Sequence, residues 1–75
     1  MNTKQLEKTK EIANVLTKGI EGLEFTTDNV SSAWFYCNTA NQSLISTIVA
    51  HAKKTKINFT ISYDEILEKI SIFLW

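Results

Sequence analysis

The sequence predicts a small α+β domain with its elements in the order αββαβα, or αββαββ if the final segment forms a strand. Two segments, residues 3–18 and 39–56, carry apolar residues at helical spacing. Residues 23–26 and 57–63 instead alternate apolar and polar residues, as strands do, and the aromatic-rich segment 30–37 is typical of a strand. We therefore expect residues 1–75 to form a single domain, in which a small antiparallel-type sheet carries the helices on one face.

The first helix is predicted over residues 3–18. Asn2 or Thr3 can cap its start, because either side chain can accept a hydrogen bond from a free backbone N–H. Gly19 and Gly22 lie where the helix should end, and glycine readily adopts the left-handed backbone that closes many helices. The apolar residues fall close to helical spacing: Leu6, Ile12, Ala13, Val15, Leu16 and Ile20.

Residues 22–38 are predicted to form a β-hairpin. Apolar and polar residues alternate over 23–26, and Asp28-Asn29 tolerates the positive φ of a two-residue turn. The second strand would run from Val30 to Cys37, because aromatic residues are enriched in strands. A helix capped by Thr27 is the alternative that the spacing allows.

The second helix is predicted over residues 39–56, where Thr39 begins a capping-box pattern. Three lysines, Lys53, Lys54 and Lys56, crowd its C-terminal end. Cations are favoured there by the helix dipole, so a solvated helix end explains them. They are also the residues through which the chain could contact nucleic acid, because lysines bind phosphate oxygens.

The last part of the chain allows two interpretations after a clear strand at residues 57–63. Ser62 and Glu65 form a capping-box pattern, and Glu65 is followed by Lys69 four positions later. These signals predict a helix over residues 63–74. The apolar run that closes the sequence has strong strand propensity, which favours the αββαββ alternative.

Composition excludes several functional classes. Eight lysines balance eight acidic residues, and there is no arginine, which argues against binding to nucleic acid or to an anionic membrane. A single cysteine and a polar N-terminal segment indicate a cytoplasmic protein. A chain of this length buries a small core, and with no disulfide available we expect it to associate with itself or with a partner.

Neither catalysis nor metal binding is predicted. Cys37 and His51 are the only thiol and imidazole, and no glycine-rich loop or fixed motif accompanies them. We expect Cys37 to be a buried strand residue. Asp64, Glu65 and Glu68 could form a carboxylate cluster for a hard cation, but helix capping and a charged helix face explain them fully. We therefore expect no enzyme activity, no cofactor and no metal site.

The segment Ser32–Asn38, "SAWFYCN", carries three adjacent aromatic residues. In a strand, adjacent side chains point to opposite faces of the sheet, so these three residues cannot all face the core. We expect Ala33, Phe35 and Cys37 to face the helices, because none of them brings a strong polar group into the core. Trp34 and Tyr36 would then lie on the uncovered face. The alternative is the opposite arrangement, with Trp34 and Tyr36 inward. It would require hydrogen-bond partners for the indole N–H and the phenol O–H.

A protein-binding surface is the main functional prediction, formed by Trp34 and Tyr36 beside Thr26 and Thr60. Tryptophan and tyrosine dominate the energetics of many interfaces. The alternative is that residues 73–75 shield the aromatic pair within the chain. A homodimer formed across this face would bury both groups at once.

These features predict a small non-enzymatic protein–protein interaction module. One form of it is an inhibitor encoded by a phage or mobile element, which occludes a larger partner; the lysine-, asparagine- and isoleucine-rich composition is typical of such genomes. The alternative is a nucleic-acid-associated regulator or an antitoxin-like protein that uses Lys53, Lys54 and Lys56.

Overall fold

The computed structural model describes residues 1–38 and 41–75, which form two helices and four strands in the order αββαββ. The predicted α+β class is confirmed, and the order is the one kept as the alternative. The elements are α1 (Thr3–Gly19), β1 (Glu24–Thr27), β2 (Ala33–Cys37), α2 (Gln42–Thr55), β3 (Phe59–Asp64) and β4 (Lys69–Leu74).

The predicted helix over residues 63–74 is wrong, because residues 63–64 end β3, residues 65–68 form a turn and residues 69–74 form strand β4. Ile72 and Leu74 are buried while Ser71 and Phe73 face the other way, which is a period of two rather than 3.6. β4 pairs with β2 on one side and with β3 on the other. A helix here would leave β3 without any neighbouring strand and β2 with an unpaired edge, so pairing within the sheet overrides the local capping signals.

A turn at residues 65–68 uses the polar residues that suggested a helix start. The Asp64 carboxylate accepts hydrogen bonds from the backbone N–H groups of Ile66 and Leu67, at 2.9 and 3.1 Å. Glu68 adopts a positive φ of 54°, which lets the chain return as β4. The same side-chain chemistry that caps a helix therefore closes a hairpin here.

The sheet has the strand order β1-β2-β4-β3, and all its neighbouring strands are antiparallel. Both helices cover one face, as predicted. The two helices contact each other directly. The side-chain amide of Gln5 donates a hydrogen bond to the backbone carbonyl of Thr55 at 2.8 Å. This contact joins the start of α1 to the end of α2.

The core lies between the helices and the sheet. Ala33, Phe35 and Cys37 are 0, 1 and 5% exposed, which confirms the predicted orientation of β2. Phe35 contacts Phe25 across the strand pair, with ring centroids 4.9 Å apart. The buried apolar residues are Leu6, Ala13, Leu23, Ala33, Phe35, Cys37, Leu44, Ile48, Ala52, Ile57, Ile72 and Leu74.

The connection between β1 and β2 is longer than the predicted two-residue turn. β2 begins at Ala33 rather than Val30, which is 71% exposed. The Asp28 carboxylate accepts from the backbone N–H groups of residues 30, 31 and 32, at 2.9 to 3.0 Å. These hydrogen bonds hold the pKa of Asp28 below its ordinary value. Asn29 has the expected positive φ, 59°.

The helix ends agree in part with the sequence patterns. Asn2 forms a capping box with Gln5 at the start of α1. α1 ends in extended backbone after Gly19, and the positive φ belongs instead to Gly22 in the following turn. Asn41 is the N-cap of α2. The predicted cap Thr39 lies outside the described residues.

Candidate protein-binding surface

The face of the sheet opposite the helices, called the open face below, is formed by alternate residues of the four strands. Their neighbours along each strand point toward the helices, as Phe35 and Ile72 do. The open face comprises Glu24 and Thr26 of β1, Trp34 and Tyr36 of β2, Lys69, Ser71 and Phe73 of β4, and Thr60, Ser62 and Asp64 of β3.

Three of the four predicted surface residues lie in one row across the sheet. Thr26 is opposite Trp34, Trp34 is opposite Phe73, and Phe73 is opposite Thr60. Tyr36 lies two positions along β2, in the next row. The structure therefore brings the predicted residues together, with Phe73 inserted at the centre.

An aromatic stack crosses the open face. The Trp34 and Phe73 rings are 5.0 Å apart at an interplanar angle of 18°, and Phe73 and Trp75 are 5.0 Å apart at 19°. Trp34 and Phe73 are half-buried, and Trp75 is 39% exposed. Phe73 covers part of Trp34, as internal shielding would require, but Leu74 turns into the core. Each of the three side chains therefore keeps part of its surface in contact with solvent.

An open depression of about 620 Å³ lies beside this stack. Trp34 and Phe73 form one wall, and the small side chains of Ser62 and Ser71 contribute to its lining. The turn after β3 supplies Ile66, which is 93% exposed. Asp64 and Glu65 also line it, so the depression offers aromatic rings and an aliphatic side chain beside two carboxylates.

The open face carries little net charge. Lys69 forms an ion pair with Glu24, and this pair crosses β2 near Tyr36. The Glu24 side chain is 63% exposed, so we expect the pair to contribute only about 0–1 kcal/mol to stability. Because the pair is neutral overall, Asp64 carries the remaining charge among the open-face residues named above, and Glu65 adds a second carboxylate at the depression. Such a surface fits a protein better than a polyanion.

Cys37 lies on β2 and His51 on α2, and each has its own surroundings. Cys37 is buried in β2, and burial raises the pKa of its thiol. The His51 Nε2 atom is hydrogen-bonded to the Thr9 hydroxyl at 2.9 Å, between α2 and α1. Burial lowers the pKa of His51, and the positive charges of Lys8 and Lys54 lower it further. Both residues serve the packing of the core.

We expect Cys37 to resist thiol reagents under native conditions. Its burial and raised pKa keep the reactive thiolate scarce. Ellman's reagent should label the folded protein far more slowly than the same protein in urea. A native labelling rate close to that of a free thiol would contradict the buried position of Cys37.

The carboxylates near the β3–β4 turn do not form a metal site. Across residues 1–38 and 41–75, no three side chains of the His, Cys, Asp or Glu types are grouped closely enough to hold a metal ion. The Asp64 carboxylate accepts hydrogen bonds from two backbone N–H groups of the turn. Glu65 and Glu68 are exposed.

The lysines named from the sequence separate into two groups. Lys54 and Lys56 line a groove between the helices, whereas Lys53 is exposed and does not line it. The groove also receives charged residues from α1, which no local pattern could connect to α2. The charged lining comprises Lys4, Lys8, Glu11, Lys54 and Lys56.

Comparisons of the chain with protein-family models, with curated proteins and with solved structures found no match. In the part of the chain that the structure describes, neither helix has the length and apolar character needed to cross a bilayer.

Proposed function

We propose that this chain is a small, non-enzymatic protein-binding module that docks a larger partner on its open face. The observation that carries the proposal is the Trp34–Phe73–Trp75 stack, which keeps part of its surface in solvent on a sheet face of low net charge, beside a depression. Aromatic residues of this kind supply most of the affinity at many interfaces. A sheet that already holds them in place avoids part of the entropic cost of binding.

The side chains around the stack suit close approach by a partner. Thr26 and Thr60 flank it in the same row, and Ser62 and Ser71 lie in the next. Their small hydroxyl-bearing side chains leave room for the partner and offer hydrogen bonds at the rim. Apolar anchors within a polar border are typical of protein–protein interfaces.

Occlusion is the mechanism that we favour for such a module. A chain of 75 residues can cover a substrate- or partner-binding site of a larger protein without performing chemistry. Its composition is consistent with an inhibitor encoded by a phage or mobile element and acting in the cytoplasm. We further propose that the module associates with itself as a homodimer, because its core is small and unsupported by disulfides.

Affinity capture tests the proposal. The tagged chain, Trp34→Ala and Val15→Ala are each used as bait in extracts of cells that carry the gene. Val15 is the matched control because it is 70% exposed on α1, away from the open face. We expect one protein to be retained by wild type and Val15→Ala and to bind Trp34→Ala about 30-fold more weakly, as for a hot spot of about 2 kcal/mol.

Circular dichroism of each bait separates lost binding from lost folding. Retention of the same protein by a folded Trp34→Ala variant would contradict binding through the open face.

The lysine-bordered groove supports the second candidate, a nucleic-acid-associated regulator or antitoxin-like protein. Lys4 and Lys8 add to Lys54 and Lys56 there, although Lys53 does not. Phosphate contacts would make the affinity fall steeply with salt, whereas binding through the aromatic stack would change little. Salt titration of the captured complex therefore distinguishes the two candidates.

A further inference from the structure

One edge of β3 is unpaired, and most of the side chains of this strand are exposed to solvent. β3 pairs with β4 on one side, and no other strand of the described chain borders it. All four residues over 60–63 are exposed. Ile61 and Tyr63 lie on the helix side of the sheet, yet they are 43 and 61% exposed, so the core that packs on Phe59 does not extend along the rest of this strand.

The hydrogen bonds beyond the end of β3 show which backbone groups point to the free edge. Asn58 and Trp75 exchange both of their N–H···O bonds, at 2.9 and 3.1 Å. Bonded and non-bonded pairs alternate along an antiparallel ladder, so residues 60, 62 and 64 bond toward β4. The N–H and C=O groups of Phe59, Ile61 and Tyr63 therefore point outward.

We propose that the β3 edges of two copies of this chain pair antiparallel, with the two-fold axis at Ile61. This register places Ile61 opposite the partner's Ile61, and Phe59 opposite the partner's Tyr63. Each copy then contributes three outward N–H donors and three C=O acceptors, and all of them find partners. Shifting the register by two residues in either direction leaves some of these groups unpaired.

The edge is complementary to itself in side chains and in charge. On the helix side the pairing covers Ile61 and Tyr63 with apolar groups of the other copy. On the open face it sets Thr60 opposite the partner's Ser62. The only charge of β3, Asp64, falls opposite the partner's Asn58, so no like charges meet.

The β3 edge also lacks the usual protection against pairing. Natural edge strands commonly carry lysine, proline or a bulge, or are very short. β3 has six residues with neither lysine nor proline, and its one charge, Asp64, lies at the end of the strand, whereas β1, at the other edge, has only four residues. The asymmetry singles out β3 as the edge that a second copy occupies.

Pairing at this register creates one eight-stranded sheet. A two-fold axis perpendicular to the sheet keeps both helix layers on the same side and leaves both open faces uncovered. The two Trp34 side chains would stand five strand spacings apart, about 24 Å. The inference rests on the self-association included in the proposed function, and it assigns that association to a surface separate from Trp34.

Sedimentation analysis at micromolar concentration tests the dimer. Ile61→Lys places two like charges at the axis, and Val15→Lys makes the same change on the exposed surface of α1. We expect wild type and Val15→Lys to be dimers, and the dimer dissociation constant of Ile61→Lys to rise at least about tenfold. Circular dichroism checks that Ile61→Lys is folded.

Cysteine cross-linking tests the register in a Cys37→Ala background. Ile61→Cys should form a disulfide-linked dimer on mild oxidation, because facing Cα atoms lie about 5.5 Å apart. Ser62→Cys should not, because it faces the partner's Thr60 and its own counterpart is about 7–8 Å away on the diagonal.

The outcomes separate this inference from the open-face proposal. A monomeric wild type would overturn self-association altogether. If Ile61→Lys leaves the dimer intact, or if Ser62→Cys forms the cross-link, only the assignment of the dimer interface to the β3 edge at this register would be overturned. Neither result changes the Trp34→Ala capture experiment, which reports on the open face.

Discussion

Phe35→Ala is expected to unfold the protein. Phe35 is 1% exposed, lies in a central strand and contacts the ring of Phe25. Truncating a buried phenylalanine typically costs about 3–5 kcal/mol. Small domains have a total free energy of unfolding of about 5–15 kcal/mol, and a chain of 75 residues belongs near the lower end. Circular dichroism melts and urea titrations measure the loss.

Trp34→Ala is the matched control, because it removes an aromatic side chain one position away on the opposite face. Trp34 is half-buried and stacks on Phe73, so its truncation removes one aromatic pair, worth about 0.5–1.5 kcal/mol, and some buried area. We expect this variant to melt cooperatively at a somewhat lower temperature. If Trp34→Ala unfolds the protein and Phe35→Ala is tolerated, the assignment of the two faces is reversed.

Stability should fall as the pH drops below about 6.5, where an unfolded histidine takes up a proton. His51 is 7% exposed, and burial, Lys8 and Lys54 lower its pKa in the folded chain. Between the lowered pKa and about 6.5, the unfolded state therefore binds more protons than the folded state. Linkage makes the free energy of unfolding decrease with falling pH across that window, by about 1.4 kcal/mol per unit of pKa difference.

His51→Gln provides the comparison for the pH effect. Glutamine does not titrate, and its amide can still donate to the Thr9 hydroxyl. Urea titrations from pH 8 to pH 5 should show wild type losing more stability than the variant. Asp28 does not interfere, since its lowered pKa confines its contribution to pH values below about 4. Parallel losses in the two proteins would contradict the assignment to His51.

Local chemistry made most of the elements predictable from the sequence. The cap at Asn2, the stripe of α1 and α2, and the alternation in β3 each depend on neighbours within a few residues. The prediction of a helix over residues 63–74 was wrong because the local signals in that segment conflicted. Glu65 and Lys69 favour a helix in isolation, but the decisive interaction is pairing with β2, which begins more than thirty positions earlier.

The open face could be predicted only in part for the same reason. The alternation of Trp34 and Phe35 indicated which aromatic side chain faces the core. The position of Phe73 against Trp34 depends on the pairing of β4 with β2, which no local pattern specifies. Likewise, Lys4 and Lys8 join Lys54 only because α1 and α2 lie side by side.

The strand order β1-β2-β4-β3 has a consequence for folding during synthesis. β4 joins the two hairpins, and Ala33 pairs with Leu74 across most of the chain length. An isolated two-stranded hairpin is marginally stable at best in water, and the β1–β2 hairpin has only α1 before it to pack against, so we expect it to gain most of its stability after residues 69–74 have left the ribosome. Such long-range pairing slows folding relative to helical proteins of similar size. Until then the aromatic residues of β2 stay exposed, which makes the emerging chain a natural client for chaperones that bind apolar segments.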